Sequence, residues 1–232
     1  MRSDRYKKGP RPRHLPATAS DSILLAMKSS EPARRGRPRS FDRQQALCAA
    51  LRVFREHGYE GTSMTDLQAA LGGLSPPSIY AAFGSKEQLF KEATDLYVAT
   101  IRAAAERAMA EATTAQEAVE AILRSAVIAS TESGEPRGCL LVQGAITCSE
   151  SSDSVQRYLH DLRTESHRAM LKRLKAAVAS GELPAHANVQ ALAQFYMTFA
   201  HGVSIQARDG ASRASLMAAV DCAMAAWDSL VE

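Results

Sequence analysis

Three sets of residues in this 232-residue chain have types and spacings that could do chemistry. The first is the run Arg34-Arg35-Gly36-Arg37-Pro38-Arg39, in which Arg35, Arg37 and Arg39 alternate with Gly and Pro. Guanidinium groups on such an arm suit a polyanion, tracking its phosphates or entering a narrow minor groove. The second set is Thr62, Ser63, Ser75, Pro76, Pro77, Ser78, Tyr80 and Lys86. Small residues at a helix start let free N–H groups and the positive dipole end approach an anionic backbone closely. Tyr80 can lay its ring against a groove wall and its hydroxyl on a phosphate, while Lys86, Thr62 and Ser63 reach further phosphates. The third set holds the acid–base candidates: His57, Asp66 and the Asp161/Glu165/His167 group. Asp161 and Glu165 share their helix with Arg163, Arg168, Lys172 and Arg173, a pattern that reads as a solvated, ion-paired face. There is no nucleophile elbow, phosphate loop or metal-ligand spacing. The chain therefore reads as a binder, not an enzyme, with no cofactor and no metal.

The charge distribution agrees. Residues 1–40 carry 11 Lys/Arg against 3 Asp/Glu, and residues 41–232 carry 17 against 22, so the overall +3 hides a cationic arm before a slightly acidic body. Cys48, Cys139, Cys148 and Cys222 are scattered and form no C-x-x-C pair, which excludes a disulfide framework or zinc site. No apolar run approaches the roughly 20 residues of a membrane span. Ile23, Leu24 and Leu25 are too short a stretch for a secretory core. The expectation is a cytoplasmic protein with no membrane partner.

The elements that must hold these residues are helices throughout. Residues 1–33 read as a disordered basic extension in which Met27 is a candidate true start. From Phe41, Ala46, Leu47, Ala50, Leu51, Val53 and Phe54 form one apolar side, ended by Gly58. Ser63 with Asp66 predicts a capping box for a second helix carrying Leu67, Ala70 and Leu71, which Gly72-Gly73 breaks. Ser75 caps a third helix with Pro76 at its first position, followed by Ile79, Tyr80 and Phe83. Ser85 with Gln88 opens a long helix from Lys86 to about Ala112. Further helices are expected near 115–130, 138–150, 153–180, 188–208 and 212–230, about nine in all. The fold class is all-α: a three-helix head at 34–92 that includes the basic arm 34–39, and a larger helical domain at 93–232.

A helix, a short second helix, a Gly-containing turn and a short third helix make a helix-turn-helix, whose last helix enters the major groove by its N-terminal end. The run Gly58-Tyr59-Glu60-Gly61-Thr62-Ser63-Met64-Thr65-Asp66-Leu67 followed by Ser75-Pro76-Pro77-Ser78-Ile79-Tyr80-Ala81-Ala82-Phe83-Gly84-Ser85-Lys86-Glu87-Gln88-Leu89-Phe90 closely resembles the TetR-family DNA-binding domain. The turn Leu71-Gly72-Gly73-Leu74-Ser75 is one glycine longer than the usual pattern of that family. The resemblance implies a homodimer on pseudo-palindromic double-stranded operator DNA, with a divergent helical domain whose small-molecule effector alters the spacing of the heads. Repression relieved by that ligand is the mode it implies.

In the body, Cys139, Gln143, Thr147, Tyr196, Met197 and His201 are polar or polarizable interruptions of apolar faces and are the expected ligand contacts. Leu216, Val220, Ala223 and Trp227 recur at spacings of four, three and four, and form the expected dimer seam. Leu192, Phe195, Tyr196, Phe199 and Val203 of the preceding helix form a like stripe, part of which must face the chain's own core, and the alternative for both stripes is an internal core. Cys139, near a helix start and two residues from Arg137, carries an alternative function, a thiol that senses oxidants or electrophiles. Two readings from other classes stay open, a helical enzyme and a ligand-free architectural DNA-binding protein.

Overall fold

The computed structural model describes residues 42–146 and 152–232; Arg35, Arg37, Arg39, Thr147 and Cys148 lie outside them. Every element among the described residues is a helix: α1 (Arg43–Gly61), α2 (Met64–Ala70), α3 (Pro76–Phe83), α4 (Lys86–Glu111), α5 (Ala115–Ser130), α6 (Leu140–Ile146), α7 (Asp153–Ala179), α8 (Val189–Arg208), α9 (Arg213–Ala225) and α10 (Trp227–Val231). The tenth arises because the expected 212–230 helix breaks at Ala226 and restarts at Trp227.

Local chemistry sets the head. Asp42 opens α1 by accepting the N–H groups of Gln44 and Gln45, both at 3.0 Å. Gly58 takes φ 72° and ψ −178°, bending the chain out of the helix where an L side chain would be strained. Ser63 and Asp66 complete the capping box of α2, Oγ accepting from Asp66 N–H at 3.1 Å and the carboxylate accepting from Ser63 N–H at 2.8 Å. The Ser63 hydroxyl, donating at 2.6 Å, and then the Ser63 N–H hold the Asp66 carboxyl below its ordinary pKa. Gly72 and Gly73 both have positive φ, 73° and 81°. The additional glycine is thus used by the turn, since neither position tolerates a side chain without strain. Ser75 caps α3 through Ser78 N–H, with Pro76 first in the helix.

Packing divides the chain into two hydrophobic clusters. The first joins α1 to the inner faces of α2, α3 and the start of α4, and is closed by Leu140 and Leu141 of α6 and Val155 and Leu159 of α7. The second is built from α5, α7, α8, α9 and α10 around Tyr196, Leu174 and Trp227. The 26-residue α4 begins against α3 and runs on into the body.

Candidate nucleic-acid interface and internal cavity

The outward face of the head presents Ser75, Pro77, Ser78 and Tyr80, all exposed, along the first turns of α3, with Pro76 half-buried. Ile79 and Phe83, on the opposite face, are buried and fix the helix on the head's core. Tyr80 is 44% exposed, one of the few large apolar side chains the described surface shows. Its ring stands clear of the core that Ile79 and Phe83 enter, on the surface the helix turns outward. Lys86 stands at the first turn of α4 with its ammonium 4.6 Å from the centre of the Tyr59 ring. Partial burial there lowers its pKa, opposed by Glu60 and Asp66. The stem is thereby packed and its charged end held near the start of α4, where a phosphate would meet both cation and helix dipole.

Thr62 departs from expectation. It is 1% exposed, and its hydroxyl donates to Gly58 O at 2.6 Å, closing the bend of α1. A hydroxyl so committed has no surface to offer a phosphate. Ser63 is exposed, although its Oγ is bound to Asp66 at 2.6 Å.

Inside the body lies a cavity of about 490 Å³, within the range that holds a drug-sized molecule. Its walls come from the second half of α4, and from α5, α6, α7, α8 and α9. Many wall residues stop at Cβ: Ala104, Ala105 and Ala108 of α4, Ala126 and Ala129 of α5, Ala169 of α7 and Ala200 of α8. Ile101, Ile122, Met170, Met197 and Met217 are among the larger apolar side chains of the lining. Glu106, Arg107 and Glu111 are exposed where the lining meets solvent, and three arginines of the wall are engaged with protein partners. Arg163 donates to Leu141 O at 2.6 Å, Arg213 to Thr131 Oγ1 at 2.8 Å, and Arg102 pairs with Glu165.

Three polar side chains face the cavity near α6. Cys139 precedes α6, and its N–H donates to Ser204 Oγ at 2.7 Å. Its thiol contacts the hydroxyl of Tyr97, which burial keeps protonated by raising its pKa well above the ordinary value. His201 is shifted down, first by burial and then by the charges of Arg163 and His167, so its charged form is disfavoured.

Of the expected ligand contacts, Cys139, Met197 and His201 line this cavity. Tyr196 does not. It is 0% exposed, stacked 5.7 Å from Trp227 in the second hydrophobic cluster, because α8 turns it toward α9 instead. Gln143 also points elsewhere, donating to Arg137 O at 3.0 Å and accepting from Arg208 at 3.3 Å where the body meets the head.

The expected seam is corrected as well. Leu216, Val220, Ala223 and Trp227 are 5%, 0%, 8% and 4% exposed in a single chain. They pack on α8 within their own subunit and have almost no surface left for a partner. The outward faces of the same helices carry other residues. On α8 these are Ala191, Phe195, Thr198, Gly202 and Ile205, spaced four, three, four and three, with Phe195 43% and Ile205 39% exposed. On α9 they are Ala218, Cys222 and Ala225, all small. Among the described residues no helix is long and apolar enough to cross a membrane.

This arrangement has known counterparts. Residues 46–93 match the family described as bacterial regulatory proteins, tetR family, and residues 115–221 match a tetracyclin repressor-like C-terminal domain. The chain is 35% identical to the HTH-type transcriptional repressor ComR of Escherichia coli (strain K12), over 92% of this chain and 100% of the relative. Among solved structures it resembles a cysteine mutant of the TetR family transcriptional regulator CifR complexed with 26-bp double-strand operator DNA. The TM-score is 0.78 at 41% identity, covering 83% of this chain and 100% of that one. A TetR transcriptional regulator from Rhodococcus sp. RHA1 is 38% identical over 82% of this chain and 99% of that one, with a TM-score of 0.55.

Proposed function

The chain belongs to the tetR family of bacterial regulatory proteins, and from that premise we propose that it represses transcription as a homodimer on operator DNA and lets go when a small molecule fills its cavity. The observation that carries the reading is α4. One continuous helix, capped by Ser85 beside α3, ends as a wall of the cavity, which residues from Tyr97 to Glu111 line along one side. A helix is stiff along its length, so an occupant that displaces one end moves the other.

The DNA contacts are Ser75, Pro76, Pro77, Ser78 and Tyr80 in the major groove, Lys86 and Ser63 on phosphates, and the arm's Arg35, Arg37 and Arg39. The homodimer pairs the outward stripes of α8 and α9, because Phe195 and Ile205 flank small residues that let two helices approach. The effector is a neutral, largely apolar molecule with one hydrogen-bonding group. Along the inner wall the apolar lining, the disfavoured charged form of His201 and the engagement of Arg163 and Arg213 with protein partners leave a formal charge poorly solvated. The site of action is the cytoplasm, where the operator is.

A second reading has its own observation. The Cys139 thiol lies on the cavity wall against the Tyr97 hydroxyl, so an electrophile entering the void meets it directly.

A gel shift at fixed salt with a duplex from the gene's own upstream region tests the DNA half. Tyr80→Ala should weaken binding by about 1 kcal/mol, roughly fivefold, and Lys86→Ala should reduce the salt slope by about 1. Unchanged affinity and slope in both variants, with the dimer folded, would remove α3 and α4 from the DNA.

A further inference from the structure

Arg55 is the one charged side chain among the described residues that is less than a tenth exposed, at 5%. It sits on the apolar side of α1, beside Phe54. Its Nη1 pairs with Glu135 at 3.2 Å, its Nη2 donates to Pro136 O at 2.7 Å, and its Nε is buried without an acceptor. The guanidinium lies 5.3 Å from the centre of the Tyr97 ring. Tyr97 is itself a cavity wall, touching the thiol of Cys139. One side chain of the DNA-binding head therefore rests on the back of the cavity wall.

The segment that holds Arg55 is tied on both sides. Toward the head, Arg52 donates to Gly134 O at 2.9 Å and pairs with Glu135 at 3.2 Å. Toward the body, Arg137 donates to Ala207 O at 2.6 Å and to Ala211 O, and Cys139 N–H is bound to Ser204. Arg208 of α8 closes the loop from the other direction, donating to the carbonyls of Arg55, at 3.1 Å, and Glu56. Those carbonyls belong to the last turn before the Gly58 bend and would otherwise lack partners. Residues 134–139 thus form a strap whose one end is clamped by α1 and whose other end, Cys139, is cavity wall.

We propose that Arg55 is the positioning residue through which occupancy of the cavity reaches the DNA-binding head. An occupant that shifts Tyr97 or Cys139 must displace the surface Arg55 stands on and the strap that binds it. A buried ion pair has sharp geometric requirements, so a small displacement at the wall is resolved by moving α1, not by stretching the pair. This inference rests on the ligand-release reading above and adds the route. Arg55 contacts neither the DNA-facing surface nor the void, so it sets the coupling and not either affinity.

The test uses the full-length dimer, a duplex that the wild-type protein selects from a random pool, and N-phenyl-1-naphthylamine as a neutral apolar probe. Duplex affinity is measured by anisotropy with and without saturating probe, and probe affinity by fluorescence. Wild-type protein should lose about tenfold in duplex affinity when the probe is bound. Glu135→Gln, and the paired variant Arg55→Met with Glu135→Gln, which leaves Glu135 uncharged, should each bind duplex and probe separately within about twofold of wild type. Both should respond to the probe by less than about threefold. A full wild-type response in the folded variants overturns the proposal and leaves the ligand reading standing. So does loss of duplex binding without probe, or failure of both variants to fold, either of which makes Arg55 a structural residue only. A wild-type protein that takes up the probe with no change in duplex affinity, or takes up none, overturns the ligand reading, and this inference falls with it.

Discussion

In the head, the inward positions of α1, α3 and α4 carry Phe54, Phe83 and Phe90, whereas α4, α5, α7 and α8 turn Ala105, Ala126, Ala169 and Ala200 toward the void in the body. Phe90 meets Phe54 edge-on at 5.0 Å and Tyr59 at 5.1 Å, and the space between these helices is taken up by rings. Where the body's helices carry methyl groups instead, a cavity of about 490 Å³ lies between them. A close-packed unit keeps one shape. A hollow one forgoes contacts, and a molecule that supplies them stabilises the shape that fits it. Reading DNA needs the first property, and responding to a ligand needs the second.

The contrast can be broken from either side. Phe90→Ala opens the filled core and should destabilise the protein by about 3–5 kcal/mol, read as a shifted midpoint in urea. A loss below about 1 kcal/mol would mean that the head has slack of its own. Ala126→Leu does the reverse. It should raise stability by about 1 kcal/mol while weakening uptake of an apolar probe, because added methylenes occupy the void. Destabilisation instead would show the wall to be already in contact.

The smallest effect concerns His201, whose protonated form is disfavoured by burial and by Arg163 and His167. Its pKa in the fold lies below the ordinary 6.5. As pH falls through the window beneath 6.5, the unfolded chain takes up this proton first and stability declines. Above that window the contribution is intact. His201→Gln should flatten the slope of melting temperature against pH there, and an unaltered slope would assign it to other groups.

Much of the head was legible because its determinants are local. Ser63 with Asp66, Ser75 with Pro76, and the Gly72-Gly73 turn each act within three or four residues, and the bounds of α5 at Ala115 and Ser130 follow from similar signals. The body's roles depend on which side of a helix meets which neighbour. Leu216, Val220, Ala223 and Trp227 have the spacing of a seam, but spacing is the same whether the partner is α8 of the same chain or another subunit. Tyr196 and Gln143 went astray for the same reason, as did Thr62, whose bond to Gly58 exists only once the bend forms. Arg55 left a signal that was not used: a charge four residues after Leu51, on the apolar side of α1. Its partners lie about 80 residues away in sequence, beyond any local rule.

The alanines around the void have a second property. Ala is the strongest helix former of the twenty residues, so the walls that face emptiness are those least dependent on neighbours to stay wound. The chamber is held in shape by its own scaffolding. On the ligand-release reading proposed above, its outline can be recarved one methyl at a time at sites remote from α3, so that a change of ligand leaves the stretch of genome addressed the same.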